Sequence, residues 1–73
     1  MLIKDLPKDT NLGGIKFRYP KDNQVYIWKS QWGLGIWAKK PNNPNPDQVF
    51  PLFVDNLEEV LEWEVIDYKN DNE

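Results

Sequence analysis

Three tryptophans fall within ten positions, in the stretch Tyr26-Ile27-Trp28-Lys29-Ser30-Gln31-Trp32-Gly33-Leu34-Gly35-Ile36-Trp37, and Arg18, Lys29 and Lys39 flank them. Aromatic rings interleaved with cations suit two tasks. They stack on bases or nucleotides, because every base has a π face, and they anchor protein contacts, because large rings dominate interface energetics. An extended chain alternates faces, so if Val25, Ile27 and Ile36 point into a core, Tyr26 and Trp28 point away from it. On that reading Arg18, Tyr26, Trp28, Lys29, Gln31, Trp32, Trp37 and Lys39 make one cationic aromatic platform. Trp28 and Trp37 then stand near each other across a hairpin, and Trp32, between Gln31 and Gly33, sits at its tip. The competing reading places Trp28 and Trp37 in the core. Trp63, flanked by Leu61 and Val65, is expected to be core on either reading.

The rest of the inventory speaks against catalysis. There is one Ser (Ser30), one Thr (Thr10), no Cys and no His, so no nucleophile has an imidazole base beside it. Paired carboxylates for acid–base work could come only from Asp55, Glu58, Glu59, Glu62 and Glu64, which read as the solvated face of a short helix and the strand after it. The Asn- and Asp-bearing segment 42–47 lacks the D-x-D-x-D-G spacing and closing Glu of a calcium loop. Gly13-Gly14 and Gly33-x-Gly35 fit no phosphate-cradling fingerprint. The expectation is a non-enzymatic binding protein without a cofactor or metal.

A platform needs a scaffold, and 73 residues allow one domain with a thin core. Such a chain buries only about 60% of its unfolded surface, and without cysteines it has no disulfide to compensate. Four Trp, three Phe and three Tyr are what remains, each able to bury roughly 150–250 Å². Charge is unevenly spread. Residues 1–40 carry eight Lys or Arg against three Asp or Glu, a net +5, and residues 41–73 carry one against nine, a net −8. Either the two halves neutralise each other internally or the fold presents two faces of opposite sign. The overall −3 does not favour bulk attraction to nucleic acid or anionic lipid.

Turn residues divide the chain. Residues 1–6 read as a short strand ended by Pro7, followed by a turn-rich segment to Gly14. Residues 14–19 alternate, with Ile15, Phe17 and Tyr19 on one face and Lys16 and Arg18 on the other. Residues 20–23 are a turn, and 24–30 and 35–40 are the next strands of an antiparallel meander. The loop 41–47, with three prolines and no apolar residue, is solvated and expected to be the most mobile internal part. Residues 48–50 resume a strand that Pro51 confines to an edge or a short length. Asp55 and Glu58 mark a helix start of about two turns, with Leu57, Val60 and Leu61 on one face. A last strand spans 63–68. The predicted fold is mainly β: a small SH3-like barrel, closed if the first strand pairs with the last, or a curved antiparallel sheet, with one short helix before the final strand. Residues 1–68 form the domain and 69–73 a frayed polar tail.

The run Leu6-Pro7-Lys8-Asp9-Thr10-Asn11-Leu12-Gly13-Gly14, with Ser30-Gln31-Trp32 and Leu61-Glu62-Trp63-Glu64-Val65, resembles short bacteriophage-encoded proteins without an assigned activity. The likeness covers most of the chain and carries over no functional residue. It implies a protein that occludes a host protein or sequesters a small signalling molecule, in the host cytoplasm. Met1-Leu2-Ile3 is followed at once by Lys4 and Asp5, unlike a signal peptide, and no stretch of about 20 apolar residues offers a membrane span. A host protein is the first expected partner; a small molecule or single-stranded nucleic acid is the second, and a structural or assembly role in a larger particle is the third reading.

Overall fold

The alternation at 15–19 becomes the first strand. In the computed structural model, which describes residues 1–45 and 47–67, Lys16–Tyr19 forms β1, with Phe17 and Tyr19 buried. Ile15 is also buried and extends the pairing, accepting a hydrogen bond from Trp28 N at 2.9 Å. The turn that follows is closed by Asp22, whose Oδ1 accepts from Gln24 N at 3.0 Å, and Asn23 takes a φ of 60°. Asparagine tolerates that left-handed backbone better than most residues. The chain then continues as β2 (Gln24–Trp32), β3 (Gly35–Lys39), β4 (Phe50–Phe53), α1 (Glu58–Leu61) and β5 (Glu64–Asp67). Gly33, with φ +53°, supplies the positive φ that a two-residue hairpin turn needs between β2 and β3.

All five strands pair antiparallel in one sheet of order β4-β3-β2-β1-β5. The sheet is open, so the closed SH3-like barrel does not form and the curved antiparallel sheet does. The first and last segments do meet, but only through a single bridge between Leu2 and Glu64. Val65 N donates to Met1 O and Ile3 N to Trp63 O, so the N-terminus lies along the outer edge of β5. The expected strand over 1–6 stops there and bends into a 3₁₀ turn, Ile3–Asp5. Asp5 causes the bend: its carboxylate accepts from Leu2 N at 3.0 Å while its own N–H donates to Leu2 O.

At the other edge Pro51 sits inside β4, where a missing N–H is harmless. The gap between β4 and the end of β1 is bridged by side chains. Tyr19 Oη donates to Phe53 O at 2.9 Å, and Lys21 Nζ donates to the same oxygen at 3.2 Å. With Pro51 lacking a donor and the Phe53 carbonyl occupied, this edge is a poor template for strand addition.

The helix starts at Glu58, two residues later than an N-cap at Asp55 would set it. Asn56 Oδ1, not the Asp55 carboxylate, accepts from Glu59 N at 3.3 Å, and Glu59 Oε2 accepts from Asp55 N in return. Its one turn buries Val60 against the core and leaves Leu57 and Leu61 largely exposed. The loop after β3 is knitted by carboxamides: Asn43 Oδ1 accepts from Asn45 N, and Asn43 Nδ2 donates to Gln48 Oε1 at 2.8 Å. Tyr68, the expected end of the last strand, and the tail 69–73 lie outside the described residues.

One face of the sheet is the core, and aromatics fill it. Phe17 is fully buried at the centre, stacked on Trp63 at a centroid distance of 5.2 Å and edge-on to Trp28 at 5.8 Å. Tyr26 lies 6.2 Å from Phe17, and Tyr19 packs edge-on against Trp63 at 5.2 Å. Such pairs are worth about 0.5–1.5 kcal/mol beyond the area they bury. Among the described residues no polar or charged side chain is buried. Two ion pairs among the described residues, Lys4–Glu62 at 3.0 Å and Arg18–Glu64 at 3.1 Å, are on the surface.

Candidate functional site: the outer face of the sheet

The face opposite the core is built by register. Lys16, Ile27 and Lys39 form one row across β1, β2 and β3, and Arg18 pairs with Val25 beside it. Val25 and Ile27 are only partly buried here, which reverses the expected orientation of β2. Tyr26 and Trp28, expected on the platform, are core residues at 4% and 5% exposure. The reason is the partner strand. Phe17 stands directly opposite Tyr26, so the face that takes Phe17 must take Tyr26 and, two residues on, Trp28. Large rings fill a thin core better than Val and Ile, whose branched side chains suit the half-covered outer side.

Trp32 is four residues beyond Trp28, and plain alternation would put both on the core side. A register shift between Trp28 and Ser30 intervenes. Trp28 pairs with Ala38, whereas Ser30 pairs with Trp37, leaving Lys29 as the extra residue of a β-bulge. Beyond the bulge the faces exchange. Gln31 returns to the core side opposite Ile36, and Trp32 turns outward opposite Gly35. Trp28 and Trp37 therefore stand on opposite faces of the sheet rather than together.

The result is an apolar patch at the hairpin end of the outer face. Trp32, Gly35 and Phe53 form one row, and Ser30, Trp37 and Pro51 the next. Trp32 is 79% exposed, Phe53 60% and Leu34, in the turn, 47%. Trp37 is half-buried between them. The Phe53 ring lies over Gly35, 3.4 Å from where a Cβ would stand, which is van der Waals contact. Lys29 is exposed in the bulge, and Lys39 and Lys16 lie further along the same face. Arg18 is tied down, its Nε donating to Glu64 Oε1 and its Nη1 to Asn23 O at 3.1 Å.

Of the eight residues expected to act together, Arg18, Lys29, Trp32, Trp37 and Lys39 share the outer side; Tyr26 and Trp28 do not. Gln31 borders a separate apolar groove of about 290 Å³, shared with Trp28, Leu57 and Leu61. Phe53 and Pro51 fall outside the expected platform because the sequence reading ends the strand at Phe50; the unbroken apolar run Phe50-Pro51-Leu52-Phe53 is the signal that extends it. The acidic residues are surface groups, with Glu62 and Glu64 held in the two ion pairs. Among the described residues no three His, Cys, Asp or Glu cluster to hold a metal ion. No described helix is long and apolar enough to cross a membrane. Comparison with known proteins gave no family model, curated protein or solved structure that matches the chain.

Proposed function

We propose that this chain is a non-enzymatic protein-binding module whose docking surface is the hairpin end of the outer sheet face. The observation that carries the reading is Trp32, exposed beside Phe53 on a rigid sheet. Adjacent exposed aromatic rings on a small domain mark an interaction surface, and large rings dominate interface energetics. Lys29 lies beside the patch, and Lys39 and Lys16 lie further along the same face, so the fitting partner is a protein offering an apolar pocket rimmed by carboxylates. The resemblance to small phage proteins points to a host cytoplasmic protein as that partner, and to occlusion as the mode of action.

A second reading draws on the same face. Trp32 and Trp37, with Lys29 and Lys39 nearby, also suit stacking of nucleotides or a single strand. The net charge of −3 ranks it below the first.

The test is reconstitution. A candidate partner captured from host lysate is purified and titrated with the wild-type chain, W32A and F53S by calorimetry. A one-to-one complex weakened at least about 30-fold by W32A supports the reading, in line with truncation of an interface hot spot. Equal affinities for wild type and W32A would exclude this patch as the docking surface. Oligonucleotide binding that quenches Trp32 while protein binding is absent would favour the second reading.

A further inference from the structure

At the far end of the sheet from the tryptophan patch, about 23 Å along β2 from Trp32 to Val25, lies a cleft that the docking reading does not use. It opens between the β1–β2 turn and the loop after β3 and has a volume of about 560 Å³. That is within the range that holds drug-sized ligands. Its walls divide by chemistry. Arg18 and Lys40 supply two cations, and none of the described lining residues is acidic. Asn23 and Gln24 on one wall and Asn42 on the other supply carboxamides, and Asn43 adds a fourth that already bonds Asn45 N and Gln48 Oε1. Val25, from the outer face, and Phe50, from the core side, add apolar lining.

The cations are held in place. Lys40 Nζ lies 4.9 Å from the Phe50 ring centroid and 5.8 Å from that of Tyr26, so aromatic faces fix it without neutralising it. Arg18 is fixed by Glu64 and by Asn23 O. Glu64 offsets its charge, and the cleft's excess positive charge therefore rests on Lys40. Carboxamides carry both donors and acceptors, which lets them read a ring edge or hydroxyl groups.

We infer that this cleft binds a small phosphate ester carried on a hydrogen-bonding ring, the phosphate on the Lys40 side and the ring among the carboxamides. Two sources share that chemistry, a nucleoside monophosphate and a sugar phosphate. Inorganic phosphate would leave most of the volume unfilled.

The test is ¹H–¹⁵N NMR titration of the intact chain with adenosine monophosphate, glucose 6-phosphate, adenosine and inorganic phosphate, each to about 10 mM, a range that detects millimolar affinity. The inference expects saturable shifts in the backbone and side-chain amides of Asn23, Gln24, Asn42 and Asn43 with at least one ester. Whichever ester binds more tightly identifies the source. Adenosine and inorganic phosphate should each bind at least about tenfold more weakly than that ester. K40Q, whose spectrum reports directly on whether it folds, should weaken the ester about tenfold, and Q24A should weaken it without changing its salt dependence. Neither ester shifting these amides, or adenosine or free phosphate binding as tightly as the better ester, would overturn the inference.

Discussion

The four tryptophans divide evenly between the core and the outer face of the sheet, and what separates the three that lie in strands is register rather than residue type. Trp28 and Trp63 pack on Phe17 or Tyr19 inside, whereas Trp32 and Trp37 face outward. Trp28 and Trp32 even share a strand at a spacing that alternation assigns to the same side. The bulge at Lys29 breaks that parity. The inner pair lets a short, cysteine-free chain hold a core, and the outer pair faces away from it. One inserted residue thus moves a packing residue type onto the outer face.

The contrast predicts opposite mutational behaviour on the two faces. The largest effect is expected for F17A, which removes the ring that touches Tyr26, Trp28 and Trp63. Loss of such a buried ring costs about 3–5 kcal/mol, against a total stability of about 4–11 kcal/mol for a chain of this length. Urea denaturation should show F17A largely or wholly unfolded at low denaturant. A midpoint close to wild type would mean the aromatic cluster does not hold the core.

An intermediate effect is expected at high pH. Burial foremost, and then the hydrogen bond that Tyr26 Oη donates to the Asp22 carboxylate together with its negative charge, push the Tyr26 phenol up to about 12. The unfolded chain loses this proton near 10.0, the ordinary value. Between those limits the native state holds a proton that the unfolded state has released, so stability falls as pH rises. The Tyr26 contribution is complete below pH 10 and is lost progressively toward 12. Denaturant midpoints measured from pH 8 to 12 should decline less for Y26F than for wild type, and identical declines would remove the linkage.

The smallest effect on folding is expected outside. W32A and F53S should change stability by no more than about 0.5 kcal/mol, with unchanged far-ultraviolet dichroism. Destabilisation of either by several kcal/mol would place these rings in the core and erase the contrast.

Much of the scaffold was legible from residue patterns. Alternation located β1 and its buried face, short links implied the β1–β2–β3 meander, Pro51 marked an edge, and Trp63 read correctly as core. The site was less legible because a face assignment is relative. Val25 and Ile27 looked like the inner set until Phe17, on another strand, fixed Tyr26 opposite it. The bulge left no local mark, since Lys29 and Ser30 are ordinary strand residues and the shift arises from pairing with β3. Closure was also invisible: Asp5 bends the N-terminus after Leu2, so pairing with β5 ends before it can complete a barrel.

The division of the tryptophans can be measured directly. With 5-fluorotryptophan incorporated, the chain gives four ¹⁹F resonances, assigned by single Trp→Phe changes, and a soluble paramagnetic agent reports the solvent access of each. The predicted order of relaxation enhancement is Trp32 greatest, Trp37 intermediate, and Trp28 and Trp63 least. Enhancement of Trp28 equal to that of Trp32 would contradict the bulge-imposed exchange of faces and the docking surface proposed on it.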